Sequence, residues 1–401
     1  MKRDVVEKEI LVPGFRFGSA ACGIKKTGAP DLALLVSDRP AIAAAAFTRN
    51  RFRAAPVEVA RERTRSGRLQ AIVVNSGNAN ACTGDQGMRD ARRSCELAAG
   101  ALGVPSRLVA PASTGIIGVA LPMRALERGI ADAAASASAT GLWGFARAIT
   151  TSDAFPKVAS EVVTIGRRKV TVAAIGKGAG MISPDMATLL VFLVTDAVIG
   201  SREARALVRE VCGTSFNSLS VDGDTSTNDS LFLAASGMAG HAPAVAGSPG
   251  LRALTRAAVE VGTEIARQVA VDGEGATKLV TIEVGGARTL AQARRVARTV
   301  GGSVLVKTAF FGSDPNWGRI ACAIGYAGVP IDPRRVTIRV GKAIVFRKGG
   351  GVVDQIDVAR AAMAGSEFTV RIDLGAGSEK TRFLTSDLTR EYVEFNSAYS
   401  T

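Results

Sequence analysis

Histidine is all but missing from this chain of 401 residues: His241 is the only one, in the loop-like run Gly240-His241-Ala242-Pro243. A hydrolytic triad built on an imidazole base would have to use that residue. Cysteines are few and scattered (Cys22, Cys82, Cys95, Cys212 and Cys322). Their number is odd and no CxxC pair occurs, which argues against a disulfide framework or a zinc site and fits a reducing cytoplasm. Aromatic residues make up only 5%, so the cores must be built mainly from Ala, Val, Leu and Ile. The longest apolar runs are strand-sized, far short of a membrane span, and no apolar signal core follows Lys2 and Arg3.

What is abundant is apolar residues (47%), glycine (44 residues) and positive charge, +14 formally. The length suggests two domains. The glycines are spread out, as tight turns require, rather than pooled in a linker. The basic balance raises nucleic-acid binding as one function class. Against it, the arginines are dispersed along amphipathic helices, as in Arg89, Arg92 and Arg93, and are not interleaved with aromatics. A solvated basic surface is the simpler reading.

Strand-like and helix-like runs alternate, which gives a mixed α and β class. Residues 71–74 read as a strand ending at an Asn/Gly turn over 75–80, and 86–102 as a helix. Residues 108–111 read as a strand running into Ser113-Thr114-Gly115. A hairpin is expected around Gly166-Arg167-Arg168-Lys169, helices over 203–212, 251–269 and 291–300, and strands over 279–284, 336–340 and 368–372. The expected domains are 1–280 and 281–401, with the break near 275–287.

The most informative stretch is Lys177-Gly178-Ala179-Gly180-Met181-Ile182-Ser183-Pro184-Asp185-Met186-Ala187-Thr188, followed by the apolar run Leu189 to Val194. A threonine hydroxyl is a poor nucleophile until a neighbouring base takes its proton, and a free amine on the same residue can be that base. Ala187-Thr188 therefore reads as a bond the protein cuts in itself. The alternative is an ordinary β-branched residue opening a strand after a glycine turn. Lys177 offers a compact positive charge for a carboxylate.

Other polar stretches each carry two readings. Ser113-Thr114-Gly115-Ile116-Ile117-Gly118 is either a set of oxyanion donors or a helix cap. Leu219 to Asp229 resembles a phosphatase nucleophile loop or the start of a calcium loop, but Thr227 and Leu233 stand where a calcium loop needs Gly and Glu, and no acidic magnesium-binding pair follows. An Asx-rich turn beside an active site fits better. Glu274, between two glycines, suits a substrate ammonium or simply an exposed turn. Asp314 to Arg319 suits an anion site or a tryptophan anchor.

Together these stretches, with Ala148 to Asp153 and the terminus Asn396-Ser397-Ala398-Tyr399-Ser400-Thr401, resemble the ornithine acetyltransferase (glutamate N-acetyltransferase) family of arginine biosynthesis. The resemblance runs end to end. It implies a two-domain α/β fold and autocleavage into an α chain (1–187) and a β chain (188–401) that share one core. It further implies Thr188 as nucleophile and amine base, and Thr114 and Gly115 as the oxyanion hole. Thr151, Lys177, Thr188, Glu274, Asn396 and Thr401 would bind the amino acid. Acetyl would pass from N2-acetyl-L-ornithine to L-glutamate without metal or permanent cofactor, with acetyl-CoA as a possible co-substrate. The implied assembly is αβ units forming α2β2 or larger, in the cytoplasm, with no nucleic-acid or membrane partner. One departure is visible: the family's Thr-Thr-Asp-Thr stands here as Thr151-Ser152-Asp153-Ala154, after Thr150. The rival is a self-activating aminopeptidase or amidase of the same N-terminal-nucleophile type, in which water takes the acyl group.

Overall fold

The structure is a computed structural model that describes residues 6–183 and 189–398. Its strands in chain order are β1 (Phe15–Ala20), β2 (Leu32–Phe47), β3 (Arg68–Asn78), β4 (Val109–Ile116), β5 (Lys157–Ile165), β6 (Arg168–Lys177), β7 (Leu190–Thr195), β8 (Leu219–Ser220), β9 (Ser230–Ala235), β10 (Leu279–Ala287), β11 (Thr337–Val340), β12 (Ala343–Arg347), β13 (Gly350–Gly351), β14 (Glu367–Asp373) and β15 (Glu379–Ser386). They form two sheets. One runs β4-β3-β2-β9-β7-β6-β5 with β1 added to β2; the other runs β13-β12-β11-β14-β10-β15-β8.

Strand β2 decides the shape of the first sheet. Its sixteen residues pair with β3 through the first half and with β9 through the second, and the register with β3 shifts between Val36 and Ala41. Asp38, Arg39 and Pro40 are exposed at that break, where proline and a bulge relieve the ladder. The sheet folds over there, so its two halves face each other. Ala33, Leu35, Ile72, Val74, Ala110 and Ala112 of one half share a core with Ile175, Leu190, Phe192, Val194 and Phe232 of the other. Phe192 stacks on Phe232 with centroids 5.7 Å apart.

The alternate residues face outward onto helices. Val73 and Val109 pack with Cys95 and Ala98 of the helix Gly84–Leu102. Val191 and Leu193 pack with the helices Ser201–Thr214 and Pro249–Val271. Helix, half-sheet, half-sheet, helix is the resulting order. Strands covered on both faces must be apolar throughout, which is why Leu189 to Val194 reads as an unbroken run. The second sheet encloses its own core, with Val296, Phe310 and Ile324 from helices on one face.

The mixed α and β class is what the structure shows. Two local expectations change. The turn expected at 75–80 is instead a continuation of β3 to Asn78, because Gly77, at φ +95°, lets the strand bulge and stay paired with β4. Ser113 and Thr114 cap no helix. They lie in β4, and the Ser113 hydroxyl donates to Asn75 Oδ1 at 2.6 Å. Among the described residues, no helix is long and apolar enough to cross a membrane.

Candidate active site

At one end of the two facing half-sheets, a cavity of about 150 Å³ opens. β4 contributes Thr114 and Gly115, β6 ends in Lys177, and β7 and β9 open beside it with Leu189 and Asp229. Thr151, Glu274 and Asn396 complete the expected set on its walls. Ala187, Thr188 and Thr401 lie outside the described residues. Leu189, the residue after Thr188, lines the cavity, and its carbonyl accepts from the Ser230 N–H at 3.0 Å.

The Lys177 ammonium is mostly buried and donates to Thr151 Oγ1 at 2.6 Å and Thr114 Oγ1 at 3.2 Å. Asp153 Oδ2 lies 3.7 Å away. Asp153 is held hard: its carboxylate accepts from Lys157 Nζ at 2.7 Å, the Gly178 N–H at 2.6 Å and the Thr151 N–H at 2.9 Å. Burial by itself would raise the Asp153 pKa, but the ammoniums of Lys157 and Lys177 and these hydrogen bonds hold it well below the usual carboxylate range. Lys157 also donates to Asp272 Oδ2 at 2.6 Å. Burial dominates at Asp272 and pushes its carboxyl up despite Lys157.

Glu274 is half-buried. Its carboxylate accepts from Ser152 Oγ at 2.6 Å and Asn396 Nδ2 at 3.1 Å, and its own N–H donates to the Ala179 carbonyl at 3.0 Å. Gly180 packs so tightly against that carboxylate that any Cβ would overlap it. Gly115, at φ +133°, lies against the Gly77 backbone, and only glycine fits. The walls thus carry one ammonium (Lys177), four carboxyl groups (Asp222, Asp224, Asp229 and Glu274) and the hydroxyls of Thr114, Thr151 and Thr227; an ammonium and carboxylates in a cavity of this size suit a small zwitterion rather than a polymer.

The Asp222 loop has a structural task here. Asp222 accepts from the Met181 and Ile182 N–H groups at 2.6 and 2.8 Å, and Thr225 Oγ1 donates to the Ser183 carbonyl at 3.0 Å. The loop therefore anchors the segment leading to the expected cut, and Asp222, the first carboxylate of the phosphatase-like reading, is taken up by backbone N–H groups. Asn228 donates to the Ala79 and Ser113 carbonyls at 2.7 and 2.8 Å, tying β9 to β4. Next to it, Asp229 is buried on the cavity wall, its Oδ2 has no hydrogen-bond partner among the described residues, and burial pushes its carboxyl well above the usual range.

His241 stands apart. Its Nε2 accepts from the Val198 N–H at 3.0 Å, which leaves Nδ1 to donate to the Ala242 carbonyl at 2.7 Å. Asn316 caps the helix Trp317–Gly325, and Trp317 packs on Phe346 with centroids 5.4 Å apart, so that loop is an anchor outside the cavity. Reading the sequence missed Lys157 as part of the site, gave Asp272 no role of its own, and placed Asn228 and Asp229 only within an Asx-rich turn beside the site. The available signal was polar residues at the mouths of apolar strands: Lys157 opens β5, and Asn228-Asp229 precede β9.

Comparison with known proteins places the whole chain. The ArgJ family profile matches residues 16–401. The chain belongs to the ArgJ family. It is 46% identical over 390 residues to the arginine biosynthesis bifunctional protein ArgJ of Symbiobacterium thermophilum, covering 97% of both chains. It is 45% identical over 395 residues to the protein of the same name from Geobacter sulfurreducens, covering 97% of this chain and all of that one. The solved arginine biosynthesis bifunctional protein argJ of Bacillus halodurans matches with a TM-score of 0.51 at 35% identity, over 52% of this chain and 98% of that chain. Membership accounts for the end-to-end resemblance, and the family's members are acyltransferases of arginine biosynthesis.

Proposed function

We propose that this cavity transfers an acetyl group from N2-acetyl-L-ornithine to L-glutamate by a ping-pong route through Thr188. The observation that carries this is convergence. Thr114, Gly115, Thr151, Lys177, Glu274 and Asn396, far apart in sequence, line one cavity together with Leu189. Cleavage between Ala187 and Thr188 frees the amine that serves as base. The Thr188 hydroxyl adds to the acetyl carbon and its proton passes to that amine. The oxyanion is met by the Thr114 hydroxyl and the Gly115 N–H. Ornithine leaves with the proton, and glutamate reverses the sequence to take the acetyl group. Lys177 and Glu274 supply opposite charges for the amino acid's carboxylate and amine. No redox or metal step is needed to balance this chemistry. Acetyl-CoA is a second donor to the same acyl-enzyme.

Support for the cut comes from proportion: the solved Bacillus halodurans chain is covered almost fully by about half of this one. After cleavage β6 and β7 belong to different fragments but stay paired from Val172↔Thr195 to Lys177↔Leu190. The pieces therefore remain one αβ unit, and larger assemblies build from it.

Intact mass of the purified protein tests the proposal, together with transfer of labelled acetyl from acetylornithine or acetyl-CoA to glutamate. Two fragments with Thr188 opening the second, and transfer that Thr188→Ala abolishes, are expected. An uncut, fully active chain sinks the mechanism. Hydrolysis of acetylornithine without transfer to glutamate moves the protein to the amidase reading.

A further inference from the structure

Lys177 carries more bonds to the protein than a simple substrate clamp needs. An ammonium has three N–H donors and no acceptor. One donor meets Thr151 Oγ1 at 2.6 Å, another meets Thr114 Oγ1 at 3.2 Å, and Asp153 stands 3.7 Å off on a further side. At both hydroxyls the oxygen must accept, so the hydroxyl hydrogens are left free to point elsewhere. Neither Thr114 Oγ1 nor Thr151 Oγ1 has a second hydrogen-bond partner among the described residues. Both threonines line the cavity.

We propose that Lys177 acts on acyl transfer through Thr114, as a positioning residue that fixes the Thr114 hydroxyl as a donor into the cavity and strengthens it toward the oxyanion. The inference rests on the reading of Thr114 as an oxyanion donor and goes beyond a contact with the substrate's carboxylate. A hydroxyl whose oxygen accepts from a cation gives up its own hydrogen bond more strongly, and the effect is larger in a buried site of low dielectric. Geometry keeps the ammonium in place. Asp153 is too far to draw it off Thr114, yet near enough to offset its charge. Asp153 is in turn fixed by the fully buried Lys157 and by the Gly178 and Thr151 N–H groups. No bond forms or breaks at Lys177 or Thr114 during the reaction; only hydrogen bonds tighten as charge develops on the acetyl oxygen.

The experiment uses two acetyl donors on the self-cleaved enzyme. One is N2-acetyl-L-ornithine. The other is p-nitrophenyl acetate, which has neither carboxylate nor amine, followed by the burst of nitrophenolate with a Thr188→Ala background subtracted. Rates are normalised to the cut fraction seen by intact mass. Lys177→Met is expected to slow acylation by on the order of 10- to 100-fold with both donors, less than loss of a whole oxyanion donor. Lys177→Arg, which keeps a cation beside Thr114, recovers part of it. In a Thr114→Val background, the further loss from Lys177→Met falls below about threefold, the non-additivity of groups acting as one unit. A loss confined to acetylornithine, or full additivity with Thr114→Val, overturns the inference and leaves Lys177 a carboxylate clamp. If Lys177→Met stays uncut, Lys177→Arg and Lys177→Gln carry the same two-donor comparison. A wild-type enzyme that shows the Thr188-dependent burst but no acetylornithine transfer refutes the proposed substrate instead, independently of Lys177.

Discussion

Lys157→Met removes a cation that sits behind the cavity without touching its interior, so its effect reports how the site is held. Lys157 is fully buried. It bonds Asp153 and Asp272 at 2.7 and 2.6 Å, with its ammonium 4.8 Å from the Phe155 ring centroid. Methionine fills much the same volume, so the cavity cost is small and the electrostatic cost is isolated. Two carboxylates then face one another, with Lys177 still 3.7 Å from Asp153 and Lys25 close enough to feel its charge. Breaking a buried pair by removing one partner costs about 3–5 kcal/mol. At roughly 2 °C per kcal/mol for a large domain, that lowers Tm by about 6–10 °C. The dependence on pH has a definite sign. In the native protein Asp153 is held below its unfolded pKa, so its contribution is complete above about pH 4 and is lost only as pH falls through the folded value. In the variant, burial dominates both carboxyls and raises them above the unfolded value. The penalty is then greatest at high pH and relaxes as pH falls toward about 4. Melting curves at pH 8 and pH 5 should show the gap to wild type narrowing, and adding Asp272→Asn should recover part of it. A gap under about 2 °C at pH 8, or one that does not narrow, refutes the account of these charges.

Three other substitutions probe the same walls. Gly115→Ala places a Cβ into the Gly77 backbone at φ +133°; strain and overpacking together cost about 3 kcal/mol, read as a lower Tm and a chain that stays uncut in intact mass. Gly180→Ala pushes on the Glu274 carboxylate and should raise KM for the amino acid about tenfold with kcat less affected, as loss of uniform binding does; an unchanged KM removes Glu274 from substrate binding. Asp229 is raised well above its unfolded pKa by burial, so ionisation destabilises the fold as pH rises. Asp229→Asn should raise Tm at pH 8 and give little gain near pH 4, checked by melts at the two values.

Much of the secondary structure was legible because burial on both faces of a strand leaves an unbroken apolar run, as in Leu189 to Val194, while one buried face of a helix leaves a period, as in Pro249–Val271. Two charged residues of the cavity wall were legible too: Lys177, at the end of a strand, and Glu274, in a glycine-flanked turn. Resemblance to relatives tied these into one site, and the cavity walls carry those described. Three things were not legible. The fold of the first sheet at Asp38–Pro40 is a property of two pairings made by one strand, β2, with partners distant in the chain. The strand state of Ser113-Thr114 depends on β3 continuing past Gly77. The cluster of Asp153, Lys157 and Asp272 joins residues more than a hundred positions apart. Sequence fixes which groups carry charge and which segments must be buried. Whether a buried charge is neutralised, and whether a hydroxyl is left free to donate, depends on distances of a few ångströms through space, which only the folded chain sets.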